Sequence, residues 1–352
     1  MRKMKVLQWI GPEKIAINLI DIPKIDSESV LLKVDSCAIC GSDLRTFYHG
    51  NSRIKAPKIL GHEVAGEIVE MGAEVKNFVI GDRISIGADI PCGLCHYCKI
   101  GSPNNCEANM AIGYQYEGGF AQYMVLDKCI LQGGPVKKFH HTLDPDIACL
   151  GEPLACAING LEIGMMKPGK SVGVIGAGPM GIMLAELCFR EGASIVFVLD
   201  MDEKRLAFAS EFSKDFKLFS MAEESYKKKI KELTDGRGLD LVFTACASRD
   251  AQIEAVNLLG KRGVLNFFGG LPQTAEPLLI SSNYIHYNEI VLTGSHGSTP
   301  EQHNRAIEML ESKKINFDKL VTHRFSLDDG EVAFRTALNK DGMKVIINPN
   351  GK

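Results

Sequence analysis

The sequence contains no long apolar run. Its least polar stretch, Val172 to Ala185, is interrupted by glycines and is too short to span a bilayer. The N-terminal MRKMKVLQWIGPEK lacks the apolar core and small-residue cleavage site of a secretory leader. Charge of one sign is not in excess either. A formal net charge of −3 over 352 residues gives no electrostatic reason to expect nucleic acid or an anionic membrane as a partner. Internal repeats and low-complexity segments are also missing. What remains, at 45% hydrophobic and 24% charged residues, is the composition of an ordinary globular chain. The length exceeds the usual single domain, so two domains are expected.

Two residue types are plentiful: 35 glycines and 11 cysteines. In a long chain without a leader, that many cysteines points to metal ligation rather than disulfides, and the cytoplasm is the expected compartment. The first 150 residues read as short strands broken by turns. Ile15, Ile17 and Leu19 alternate, and SVLLKV, HEVAGEIVEM, RISIGA and FAQYMVL have strand character. No long amphipathic helix is expected there, so an irregular β-rich domain is. After Pro168 the pattern changes to near-continuous apolar runs of strand length: SVGVIG, SIVFVLD, LDLVFTA and GVLNFFG. Helical patterns such as MGIMLAELCFREG, DEKRLAFASEF and AQIEAVNLLG alternate with them, which predicts a doubly wound parallel sheet. EIVLTGS is expected to close that sheet. Thr299-Pro300 opens a further helix, and the tail ending in KVIINP supplies a helix or two and one last strand.

PCGLCHYCKIGSPNNC places Cys92, Cys95, Cys98 and Cys106 at spacing C-x2-C-x2-C-x7-C. Four thiolates in a short irregular loop close a tetrahedral zinc cage and leave no open position for substrate, so the site reads as structural. One ferredoxin spacing begins the same way, but it continues with three residues and Cys-Pro, whereas seven residues follow here.

Three more segments carry ligand-type residues in glycine-flanked turns: CAICGSD (Cys37, Cys40), LGHE (His62, Glu63) and GEP (Glu152). Singly, each has an ordinary reading as a core thiol, a surface His-Glu pair or a helix start. Together with the four-cysteine loop and the later GAGPMG, in this order and spacing, they resemble the zinc-containing medium-chain dehydrogenase family. The resemblance covers essentially the whole chain, and the sorbitol (L-iditol), threonine and polyol-phosphate dehydrogenase branch is the most similar. It implies a GroES-like β-rich catalytic domain over 1–152 holding both zinc sites. It further implies a Rossmann coenzyme domain over 153–296 and a segment 297–352 that returns to the catalytic domain. By the same resemblance Cys40, His62 and Glu152 hold a catalytic zinc, with Glu63 a fourth ligand or an outer carboxylate. Ser42 takes the substrate proton, and Cys37 is left as a core thiol. Thiolate, imidazole and carboxylate are all zinc ligands, and three of them leave one position open. Relatives acting on ethanol have a second cysteine where this chain has Glu152, and the glutamate version goes with polyols. Many members place a relay histidine three residues after the serine. Here that position is Arg45, which does not release a proton at neutral pH. Either His49, Tyr48, water or Glu63 completes the relay, or Arg45 binds an anionic substrate such as a polyol phosphate.

Val172 to Ile175 runs straight into Gly176, Gly178 and Gly181 as G-x-G-x-x-G, with Pro179 and Met180 between. A buried strand before it and a helix after it are the context that dinucleotide binding requires. Gly176 allows the tight turn, Gly178 lets backbone reach the pyrophosphate, and Gly181 lets helix and strand pack closely. Asp200 ends the second strand, nineteen residues beyond Gly181. A carboxylate there accepts from ribose hydroxyls and repels a 2′-phosphate, so NAD is expected over NADP. Arg205, in the DEKR that begins an exposed helix, is the nearby cation. Thr244 and Phe268 stand at carboxyl ends of strands, where the adenine and nicotinamide sides of a crevice would be lined. The expected activity is reversible hydride transfer between a polyol or secondary alcohol and NAD, with two zinc ions per chain in a homodimer or homotetramer. A metal-free reductase on the same fold and a non-catalytic NAD-binding protein are the rival readings.

Overall fold

The computed structural model describes residues 2–272 and 274–351. The chain divides into two compact units, Met1–Ala155 with Gly297–Lys352 and Cys156–His296. Among the described residues no helix is long and apolar enough to cross a membrane.

The first unit is built on antiparallel ladders. Its main sheet runs Val136–Lys138, Arg83–Ile86, Glu63–Met71, Val30–Ala38, Lys344–Ile347, Val321–Phe325, with Tyr123–Leu126 also paired to Val30–Ala38. A smaller sheet orders Lys14–Asp21, Lys3–Gly11 and Lys58–Ile59. Val30, Leu32, Val34, Ile68, Ile84 and Ile86 are wholly buried in these ladders, and Phe120 packs edge-on against Phe334 at 5.5 Å. This core draws on both ends of the sequence.

Helices are more numerous here than the strand-dominated pattern predicts. Gly41–His49 is a nine-residue helix that buries Asp43, Thr46 and Phe47. The tail supplies two strands, Val321–Phe325 and Lys344–Ile347, which pair in parallel. Thr299 caps the helix Pro300–Glu311 and Pro300 takes its first position, as the sequence predicts, and the structure adds a capping box with Gln302.

The second unit is a six-stranded parallel sheet in the order Phe216–Ser220, Ile195–Asp200, Ser171–Ile175, Leu239–Thr244, Leu259–Phe267, Val291–Gly294. Numbered along the chain, that order is 3-2-1-4-5-6, the doubly wound Rossmann arrangement. The winding reverses between Ser171–Ile175 and Leu239–Thr244, so the carboxyl ends of those two strands frame the natural ligand crevice. Strands buried on both faces explain the unbroken apolar runs: all five residues of Ser171–Ile175 are buried.

Candidate active site

Strand register assembles a pocket in the first unit. Ala38 pairs with Glu63 and Cys37 with Val64, so Cys40 and His62, at the ends of two adjacent strands, arrive side by side. On the other flank Ile346 pairs with Ala38 and Ile347 with Cys37, which carries Lys344 to the same end. Ligand atoms of Cys40, His62 and Glu63 all lie within 4.8 Å of one another. Glu152, in the first turn of helix Gly151–Ile163, is buried but falls outside that tight set. The turn into His62 depends on Gly61. Its φ is +91°, and a Cβ there would stand 2.6 Å from Cys37 Sγ.

Asp43 and Lys344 belong to this pocket and were not singled out from the sequence. Asp43 Oδ2 accepts from the Cys40 amide at 3.0 Å and Oδ1 accepts from the Gly61 amide at 3.2 Å. The same Oδ1 is 3.5 Å from His62 Nδ1. One buried carboxylate therefore orients the Cys40 and Gly61–His62 turns and backs the imidazole, an arrangement that would suit a metal-ligating histidine. Lys344 Nζ donates to both oxygens of Glu63 in a fully buried ion pair. Glu63, expected as a fourth ligand or an outer carboxylate, thus has a cation of its own. Ser42 Oγ is 3.4 Å from His62 Nε2. Arg45 is exposed and shares an open hollow of about 420 Å³ with Leu44, Tyr48, His49 and Leu338.

The electrostatics describe a pocket suited to a cation. Burial pushes the Glu152 carboxyl up to about 7; Glu63 adds to this while His62 and Lys344 oppose it. Burial works against charge on His62, yet Asp43 and Cys40 outweigh it and hold the imidazole well above its ordinary range. Three carboxylates and a thiol thus face one lysine and one histidine. A divalent ion that takes sulfur, nitrogen and oxygen ligands fits this donor set.

The four-cysteine loop closes on itself. The thiols of Cys92, Cys95, Cys98 and Cys106 lie within 4.8 Å of one another, with Cys95 Sγ 3.5 Å from Cys98 and 3.8 Å from Cys106. Tetrahedral zinc with bonds of about 2.3 Å sets sulfurs about 3.8 Å apart, so the spacing fits the ion. Backbone amides of Leu94 and Cys95 donate to Cys92 Sγ, and that of Cys92 donates to Cys106 Sγ. Such donors stabilise thiolates: the Cys98 and Glu107 backbone brings the Cys95 thiol down to about 6. Burial lifts Cys98 to about 12, because four neighbouring thiols do not all ionise without a cation to share.

In the second unit Gly176 has φ +111°, and Gly178 caps helix Pro179–Arg190, with Pro179 at its first position and Met180 next. A Cβ on Gly181 would fall 1.7 Å from the Gly176 carbonyl oxygen, whereas one on Gly178 would meet nothing within 4 Å. Close packing at Gly181 and open backbone at Gly178 are what a phosphate-binding turn needs. Asp200 Oδ2 accepts from the Ala177 amide at 2.7 Å and Oδ1 from the Asp202 amide at 2.9 Å, which fixes the carboxylate against the glycine turn. Arg205 is half-buried rather than exposed; burial lowers its pKa while Asp202 and Asp200 oppose the shift. Phe268 follows its strand and packs against Gly160. Thr244 is wholly buried, with a hydroxyl that has no hydrogen-bond partner among the described residues. His303, which the sequence leaves without a role, is wholly buried in the first unit, beside Gly87 and Gly151.

Comparison with known proteins agrees with this architecture. Residues 26–132 match the alcohol dehydrogenase GroES-like domain, and residues 179–312 match the zinc-binding dehydrogenase domain. A sorbitol dehydrogenase of Halalkalibacterium halodurans is 31% identical, over 93% of each chain. A D-arabinitol dehydrogenase of Uromyces fabae is also 31% identical, over 99% of this chain and 98% of its own. Among solved structures, a zinc-binding dehydrogenase from Sinorhizobium meliloti bound to NADP superposes with a TM-score of 0.91 at 27% identity, covering 99% of this chain and 100% of its own. The chain belongs to the zinc-binding, medium-chain alcohol and polyol dehydrogenase family.

Proposed function

We propose that the protein is an NAD-linked, zinc-dependent dehydrogenase that oxidises a polyol or secondary alcohol to a ketose or ketone, reversibly. The observation that carries this reading is the convergence of Cys40 and His62 at one buried strand end, with the Glu152 carboxyl in the same electrostatic field. Cys40, His62 and Glu152 hold the catalytic zinc, and Cys92, Cys95, Cys98 and Cys106 hold the structural one. When bound, the catalytic ion supplies a Lewis acid that makes a substrate hydroxyl easier to deprotonate. Ser42 Oγ, next to His62, accepts that proton. Asp43 keeps the imidazole and the Cys40 turn in register, and Lys344 pairs with Glu63 beside them.

The glycine turn at Gly176, Gly178 and Gly181, opening helix Pro179–Arg190, receives the pyrophosphate, and Asp200 faces the adenosine ribose. A carboxylate there disfavours a 2′-phosphate, so the reading is NAD even though one structural relative binds NADP. A polyol phosphate is the second reading, supported by exposed Arg45 beside His49 in the open hollow on helix Gly41–His49. Val291–Gly294 is a sheet-edge strand with Val291 partly exposed, which supports pairing into a homodimer or homotetramer through that edge. Eleven free cysteines support a reducing, cytoplasmic setting.

The test is metal quantification alongside a panel of polyols, their phosphates and amino alcohols, each with NAD and with NADP. Two zinc ions per chain and NADH from polyols support the reading. One or no zinc, with reduction of enones or quinones, replaces it with the metal-free reductase.

A further inference from the structure

Tyr114 has no role in the assignments above, yet it stands in the same pocket. Its ring centroid is 6.4 Å from that of His62. Its phenol lies near Ser42, whose Oγ is in turn 3.4 Å from His62 Nε2. A phenol is protonated at neutral pH and can both donate and accept a hydrogen bond.

The ring is also held from outside. The Arg53 guanidinium lies over it, 5.3 Å from the centroid, and Arg53 Nη2 donates to the Asn109 carbonyl at 3.3 Å. Asn109 Nδ2 donates to Asp89 Oδ1 at 2.6 Å. A half-buried phenol is therefore clamped by a cation, and its hydroxyl sits beside the serine that receives the substrate proton.

We infer that Tyr114 is a specificity-determining residue that hydrogen-bonds the hydroxyl on the carbon next to the reacting carbinol. The pocket then favours vicinal diols and polyols over alcohols with a single hydroxyl. A mono-alcohol leaves the phenol without a partner on the substrate, and a site built to bind a hydroxyl discriminates strongly against an analogue lacking it. The inference rests on the polyol reading above.

The test compares wild-type and Tyr114→Phe protein, both zinc-loaded, on 2,3-butanediol and 2-butanol with NAD. A parallel calorimetric titration measures 2,3-butanediol binding to the enzyme–NADH complex. Phenylalanine keeps the ring and the Arg53 stacking, so zinc content and melting temperature report whether the fold is intact. The expected result is a loss in kcat/KM about tenfold greater for the diol than for the mono-alcohol, with a matching loss of diol affinity. Equal losses for the two substrates, or no loss for either, overturn the inference while leaving the polyol reading in place. A wild-type protein that makes no NADH from any polyol overturns that reading and the inference with it.

Discussion

Burial raises the Glu152 carboxyl to about 7, so a further positive charge beside it would favour the carboxylate form. If it holds the catalytic ion, Glu152→Ala abolishes turnover while NADH titration still shows cofactor binding. Surviving activity would show the ligand assignment to be wrong. At Asp200 both carboxylate oxygens are tied to the glycine turn and its neighbour, so the group is fixed where a ribose would lie. Asp200→Gly should raise the NADP-to-NAD ratio of kcat/KM by about tenfold or more, the worth of one lost charge repulsion and its hydrogen bonds. An unmoved ratio would undercut the ribose argument. His303 is governed by folding rather than catalysis. Burial pushes it from 6.5 to about 4, opposed by the backbone at Ser85 and Gly151. The unfolded chain therefore binds a proton first as pH falls. Stability is full above about 6.5 and declines between there and about 4, by at most on the order of 3 kcal/mol. His303→Gln should flatten this part of the pH–stability curve measured by denaturant unfolding; an unchanged slope would show that the histidine is not its source.

Elements buried on both faces were the legible ones. Ser171–Ile175, Ile195–Asp200 and Leu239–Thr244 are mostly apolar, with polar residues chiefly at their ends, because helices cover both sides of their sheet. Phe216–Ser220 escapes that pattern: it is an edge strand, mostly half-buried, with an exposed lysine at its second position. Helix Gly41–His49 is short, and its start is capped by Cys40 and Asp43, a pair that resembles a capping box with cysteine in place of serine. Thr299 is readable because a threonine N-cap followed by proline is an ordinary helix start. Thr299→Ala should cost about 1 kcal/mol in denaturant unfolding; a value near zero would mean that packing of helix Pro300–Glu311, not its cap, fixes that end.

At the scale of the molecule, the two thiol-bearing sites differ in how sequence reveals them. The four-cysteine cluster lies within a single loop, so its spacing is visible in the sequence. The candidate catalytic pocket brings Cys40, His62 and Glu63 together with Lys344, and the ion pair between Glu63 and Lys344 closes over 281 residues. Only the pairing of the C-terminal strand with Val30–Ala38 brings that lysine in, and no local pattern encodes such a contact. Breaking a buried pair of this kind strands a charge, so Lys344→Met should destabilise the protein by about 3–5 kcal/mol in denaturant unfolding. A much smaller loss would mean that water or relaxation reaches the site. The central claim is that zinc and NAD together oxidise a polyol. The rate of NADH formation from a polyol, followed through chelation and then zinc restoration, tests it most directly. The rate should fall on chelation and recover with zinc; an undiminished rate after metal removal would mean that no metal takes part in the oxidation.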